Sequence, residues 1–234
     1  MNQLTQLKLE IENIATKERA IVSQRYFKTG PGEYGEGDIF IGLTVPQTRD
    51  LAKKYKDLDI DEIKDLLTSK IHEHRLLALF ILVDKFKKSD EKEKEEIAKF
   101  YLNHTTHINN WDLVDQSAHL ILGEHLHNKD KKLLEKLAKS ENLWERRISI
   151  IATLQFIRKN QFEETKRIAE FLLKDKHDLI HKAVGWMLRE VGKKDKKAEL
   201  EFLNKHYKTM PRTMLRYAIE HFSKSEKEYF MKKS

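Results

Sequence analysis

No cysteine occurs among the 234 residues, which excludes disulfides, thiolate chemistry and cysteine-ligated zinc. Proline is almost as scarce, with three residues, so little interrupts helix formation. No apolar run approaches the ~20 residues that span a bilayer, and the N-terminus lacks the apolar core of a signal peptide. A cytoplasmic protein with no membrane partner is therefore expected. The period-two alternation of half-buried strands is also missing, so the fold class is expected to be all-α. Four of the eight glycines fall in one stretch, Thr29 to Asp38 (TGPGEYGEGD), which must be loop. A glycine cluster suggests a phosphate cradle, but this one lacks the terminal Lys or Ser/Thr that would hold a nucleotide. Glu33, Glu36 and Asp38 would repel one, so the stretch reads as an ordered turn between helices.

Charge is abundant. Lys plus Arg number 45 against 38 Asp plus Glu, for a net charge of +7, and the pI is near 9.2. The excess favours attraction to a polyanion without establishing it, because Lys-rich faces are common on helical proteins. With 35% charged and 39% hydrophobic residues, the chain has the composition of a soluble, strongly helical protein. It is long enough to bury roughly 70% of its unfolded surface, and residues 1–234 are read as one domain.

Helical spacing of Leu4, Leu7, Leu9, Ile11, Ile14 and Ile21 predicts one or two helices over Met1 to Arg25. After the glycine-rich loop, Thr44-Val45-Pro46 starts a helix with a Thr cap and Pro in the first turn. Polar joints are expected at Lys87–Lys94, Asn128–Lys131, Ser140–Asn142, Lys174–Asp178 and Gly192–Lys197. The Lys/Glu run from Lys85 to Lys99 reads as a solvated helix face with i,i+4 pairs. Related stretches begin at Arg75, Trp111, Arg147, Lys182 and Arg212, at intervals of 36, 36, 35 and 30 residues. Such a period marks stacked helical pairs, each burying its apolar side against its neighbours. In a curved stack the shared phase would line the concave surface with Trp111, Asp115, Arg147, Lys182, Trp186, Arg212 and Arg216.

Eleven His residues invite a metal reading, but only His177 and His181 are spaced to share a helical face, and no HExxH or acidic cluster accompanies them. No metal and no cofactor is expected. No Ser or His sits in a recognisable nucleophile setting either. Trp111 and Asp115 then stand out, four residues apart in NNWDLVDQ and so on one helical face. A lone Trp on a helix is ordinarily core, and an Asp one turn later is ordinarily a cap or a surface charge. Here Asp115 fills a phase that other repeats give to Leu79 or Ile151, and an acid there requires a reason.

One carboxylate with two indoles suits the cleavage of a bond that breaks through an oxocarbenium-like state. Where the leaving group is already cationic, as an N-alkylated purine is, no general acid is needed. The carboxylate then stabilises the sugar cation and positions or deprotonates water, indole faces favour the cationic sugar, and basic residues at the repeat starts hold phosphate.

At these residues the sequence resembles the AlkD-type alkylpurine DNA glycosylases, the HEAT-like-repeat DNA alkylation repair family. The matching stretches are Gln24–Arg49 (QRYFKTGPGEYGEGDIFIGLTVPQTR), Asn109–Asp115 (NNWDLVD), Leu143–Ile148 (LWERRI) and Val184–Glu190 (VGWMLRE), and with the repeats the resemblance covers nearly the whole chain. It implies HEAT-like helical repeats stacked into a curved, C-shaped α-solenoid with double-stranded DNA in a basic concave cleft, and a chain that works as a monomer. It implies further that Asp115 is the catalytic carboxylate, that Trp111 and Trp186 contact the deoxyribose of the lesion, and that Arg147 contacts phosphate or assists the site. Tyr26, Thr44 and Pro46 match positions that approach the duplex near the lesion, while Lys182 and Arg212 are the basic repeat starts expected to hold phosphate. The implied activity is excision of 3-methyladenine and 7-methylguanine without drawing the base into a pocket, unlike the general habit of glycosylases. Asn110 departs from members that carry a second Trp there. Some relatives lose the acid and Trp residues and become DNA-structure binders, whereas this chain keeps Trp111, Asp115, Arg147 and Trp186. The competing reading is a non-catalytic HEAT-like scaffold for DNA or protein, which would be indifferent to Asp115→Asn.

Overall fold

Helices account for nearly all the regular structure in the computed structural model, which describes residues 2–232. Among the described residues the only β contact is an isolated parallel bridge between Ile39 and Ile71. Two compact units divide the chain, Met1–Ser117 and Ala118–Ser234. No helix among the described residues is long and apolar enough to cross a membrane.

The first unit contains α1 (Gln3–Ile14), α2 (Lys17–Tyr26), α3 (Val45–Lys54), α4 (Ile60–Leu67), α5 (His72–Lys88), α6 (Glu91–Asn103), a 3₁₀ turn (Thr105–His107) and α7 (Trp111–Ala118). The expected N-terminal helical stretch is thus two helices, broken at Ala15–Thr16. Residues 29–38 form the expected loop, and Thr44 caps α3 in a reciprocal pair with Gln47, with Pro46 in the first turn. Asp59 with Glu62 and Asp90 with Glu93 start α4 and α6 in the same way, each cap contributing ~1 kcal/mol. Helices α3 and α4 pack on α5, which is buried from His72 through Val83 because its apolar residues cover all sides. Gly42, at φ +87°, passes so close under Thr16 and Ala20 that a Cβ would meet the Thr16 carbonyl.

In the second unit a π-helical turn (His119–Gly123) leads into α8 (Glu124–Leu126), then α9 (Lys132–Ala138), α10 (Leu143–Ala152), α11 (Leu154–Arg158), α12 (Glu163–Leu172), α13 (Asp178–Lys194), α14 (Lys196–His206), α15 (Arg212–Ala218), a 3₁₀ turn (Ile219–His221) and α16 (Lys224–Met231). Helix α13 is the hub, touching α10, α12, α14 and α15.

Two expected joints are corrected. Lys87–Lys94 contains only a two-residue break, because α5 runs to Lys88 and Asp90 caps α6; the Lys/Glu run therefore belongs to two helices. Lys99 pairs with Glu95 inside it, and Lys88 pairs with Asp84 just before its start. Gly192–Lys197 is not a loop: α13 continues through Gly192 to Lys194, and Asp195 alone separates it from α14 by accepting the amides of Lys197 and Ala198.

Candidate active site

Trp111 opens α7, and Asp115 follows one helical turn later; both are half-buried. The end of α2 and the glycine-rich loop supply the surroundings of the indole. Phe27 lies parallel to it, centroids 5.1 Å apart and planes within 16°. Tyr26 meets its edge at 5.9 Å. The indole N–H donates to the Tyr34 hydroxyl, and burial of Tyr34 raises the pKa of that phenol against this bond. On its far side Phe27 stacks on Phe40 at 4.8 Å, and Phe40 stacks on the His72 ring at 4.4 Å. The indole is therefore the outer end of an aromatic stack that runs into the core.

A buried polar network underlies this stack. His72 Nδ1 lies 3.2 Å from Asp38 Oδ2 and its Nε2 lies 2.8 Å from Asp112 Oδ2. Ionised carboxylates only accept, so both ring nitrogens donate and the ring is an imidazolium. Burial opposes that charge, but the Asp112 and Asp38 carboxylates prevail and raise the His72 pKa to about 9. Asp38 also pairs with Arg75 at 2.6 Å and accepts from Asn109 at 3.1 Å. Burial works against the Asp38 carboxylate, yet His72 and Arg75 hold its pKa below the usual value. Asn110, fully buried, accepts the Trp111 amide at 2.8 Å and so sets the start of α7. Glu73, next to His72, accepts the amides of Ile41, Gly42 and Leu43 and pins the segment that follows the loop. The loop's own acids, Glu33 and Glu36, turn back onto the amides of Gly30 and Gly32.

Of the expected site residues in the first unit, Trp111 and Tyr26 are in ring contact, and Trp111 and Asp115 share α7. Thr44 and Pro46 stand together at the start of α3, Pro46 exposed and Thr44 half-buried as the cap. In the second unit Arg147 is buried on α10 and donates through Nη1 to the Leu179 carbonyl of α13 at 2.5 Å. Trp186, half-buried on α13, donates to Glu190 at 3.1 Å. Lys182 pairs with Asp178 at 2.7 Å, and Arg212 at the start of α15 donates to the Met231 carbonyl. Lys182, Arg189, Thr213, Arg216 and Tyr217 line an open groove of about 710 Å³ between α13 and α15.

Sequence reasoning missed Phe27, Tyr34, Asp38, His72 and Asp112. Asp112 carried a usable signal, an acid inside the singled-out NNWDLVD stretch; the others are joined only by contacts across tens of residues. Among the described residues no three His, Asp or Glu side chains are grouped to hold a metal ion; His177 caps α13 and His181 bonds the Asp175 carbonyl.

A family model described as DNA alkylation repair enzyme matches residues 7–222. The fold is similar to that of a predicted DNA alkylation repair enzyme from Enterococcus faecalis, with a TM-score of 0.69, 17% identity and coverage of 90% of this chain and 97% of that one. AlkD2 from Streptococcus mutans gives a TM-score of 0.58 at 19% identity, covering 93% and 98%. The smu.31 protein from Streptococcus mutans UA159 gives 0.51 at 22% identity, covering 74% and 89%. No curated protein sequence matches the chain.

Proposed function

Because the chain belongs to the family of DNA alkylation repair enzymes, we propose that it is a DNA glycosylase of base excision repair that hydrolyses the N-glycosidic bond of cationic N3- or N7-alkylated purines in duplex DNA. The observation that carries this reading is the pairing on α7 of a braced indole, Trp111, with a carboxylate one turn on, Asp115. The alkylated purine leaves as a neutral base and needs no protonation, so the demand on the protein is to stabilise the positive charge that develops on the deoxyribose. Asp115 supplies the fixed negative charge and positions or deprotonates the attacking water. Trp111 offers its electron-rich face to the sugar.

Trp186 and Arg147, in the second unit, take the roles the resemblance implies, against the lesion's deoxyribose and the phosphate. Tyr26, Thr44, Pro46, Lys182 and Arg212 are assigned to the duplex. The base stays in the duplex during cleavage. That assignment is supported by the aromatic cluster beside Trp111, whose rings are packed on one another and leave no cage of their own for an extruded base. In this reading the protein works as a monomer and requires no cofactor.

The test is single-turnover release of 7-methylguanine from a duplex oligonucleotide, with wild type beside Asp115→Asn. Loss of a group that stabilises the transition-state charge costs ~3 kcal/mol or more, roughly a hundredfold in rate. The expected result is release by wild type, at least a hundredfold less by the variant, and equal duplex affinity. Equal release by both, or binding without release by either, overturns the proposal.

A further inference from the structure

His72 stands where two supports of Trp111 meet. One is the aromatic stack: the His72 ring lies on Phe40 at 4.4 Å and against Phe27 at 5.1 Å, and Phe27 carries the indole. The other is polar and holds the chain on both sides of Trp111. Asp112 accepts from His72, Asn109 donates to Asp38, and Asn110, which accepts the Trp111 amide, reaches the same Asp38 carboxylate at 3.5 Å. Stability alone is a poor account of a cation in this place. His72 is the first residue of α5, where the positive end of the helix dipole opposes its charge, and burial opposes it further. A buried ion cluster gains little stability over apolar groups of the same shape, whereas its bonds are directional and fix one geometry.

We propose that His72 is a positioning residue for base release: through Asp112 and Phe27 it sets the first turn of α7, and with it the placement of Trp111 and Asp115 against the deoxyribose. The inference rests on the glycosylase reading and adds to it a residue that is 1% exposed and so acts without touching the substrate. Trp111 and Asp115 lie one turn apart on α7, so a tilt of its first turn moves both. A displacement of ~1 Å is enough to slow chemistry about a hundredfold. The charged groups facing the ring are Asp38 from the loop, Asp112 from α7 and Arg75 from α5, with the Tyr34 phenol beyond Asp112. The two carboxylates outweigh Arg75 and keep the ring charged at neutral pH, so release should weaken where the ring loses its proton.

The experiment uses the full chain. Single-turnover release of 7-methylguanine, at protein concentrations that saturate the duplex, is followed from pH 7 to 10 against a protein-free control. Wild-type release is expected to fall as pH rises through about 9. His72→Gln, which keeps one donor towards the carboxylates, is expected to be at least tenfold slower at pH 7, to lack that fall, and to bind the duplex within twofold of wild type. Asp112→Asn should slow release similarly, and the double variant should be no slower than the slower single one, because both substitutions break one contact. A spectroscopic readout needs no catalysis: with Trp144→Phe and Trp186→Phe, Trp111 is the sole indole, and adding His72→Gln should raise its quenching by acrylamide. Release and quenching unchanged by His72→Gln overturn the proposal and leave the glycosylase reading standing. Wild-type release that stays level to pH 10 also overturns it, and does so even where the variant fails to fold. Wild type that releases no base at any pH overturns the glycosylase reading, and His72 then keeps only the bracing of Trp111 that the quenching reports.

Discussion

His72 and Asp112, 40 residues apart in sequence, meet at 2.8 Å through Nε2 and Oδ2 and join the first turn of α5 to the first turn of α7. The contact is almost wholly shielded from water, and the other ring nitrogen is held by Asp38. Removal of the cation between two buried carboxylates leaves charge without compensation, at a cost of ~3–5 kcal/mol. His72→Leu is therefore expected to lower denaturant-unfolding stability by about that much, whereas a surface change such as Lys99→Ala leaves it unaltered.

The same histidine predicts an alkaline limit. Its folded pKa, about 9, lies above the ordinary value of 6.5. The stabilisation is fully present below pH ~6.5 and is lost as pH rises through about 9. Unfolding temperature measured from pH 6 to 10 should decline on this limb in wild type, and a His72 variant should lose the limb. An unchanged limb in that variant would show that the ring is not charged in the folded state.

Glu199 on α14 gives a second, separable pH dependence in the other unit, below that of His72. It is 2% exposed, and burial raises its pKa to about 8, partly opposed by Lys196. A carboxyl raised in this way is neutral in the folded state at pH 7; its contribution is fully present only below pH ~4.5 and is lost as pH rises from there through about 8. Glu199→Gln should gain stability relative to wild type as pH rises from about 4.5 to about 8, with no further gain towards pH 9.5, as read by chemical denaturation.

Tyr34→Phe tests the brace on the indole. One neutral hydrogen bond to Trp111 is lost, worth ~1 kcal/mol or about fivefold in rate if spent on positioning. The expected outcome is a several-fold slower single-turnover release with unchanged duplex affinity and little change in melting temperature. A change in affinity alone would place Tyr34 against DNA and not behind the indole.

Gly185 on α13 faces α15 so closely that a Cβ would collide with the Met214 carbonyl and the Tyr217 Cβ. Gly185→Ala is expected to destabilise by ~1–3 kcal/mol through overpacking, despite the better helix propensity of alanine. A more stable variant would mean that the helices can part there at no cost.

Much of the architecture was legible in the sequence because its signals are local. Helical periodicity, the glycine-rich loop and the Thr44 cap all act within a few turns of chain, and the repeat recurs at a near-constant interval. The two misread joints failed for opposite reasons. At Ser89–Asp90 the Lys/Glu run hid a cap inside unbroken helical composition. At Gly192 the glycine is not a stop; it is where α13 makes room for the Glu199 carboxyl. Of the candidate site, Trp111 and Asp115 could be read from their spacing, but what holds Trp111 could not. Phe27, Tyr34 and His72 reach α7 through contacts 40 to 84 residues long in sequence, with Asp38 behind His72, and no period records such contacts. Arg75, read as a repeat start, is committed instead to Asp38.

The three amides gathered by Glu73 bear on the order in which the molecule assembles. Ile41, Gly42 and Leu43 belong to no helix, and the bonds that fix them reach forward some thirty residues to α5. Such a segment cannot nucleate alone and must wait until α5 has formed and docked. These three amides should therefore exchange with solvent earlier than the amides of α5. Damage to the anchoring of α5 would then release Ile41, Gly42 and Leu43 well before the unit as a whole unfolds.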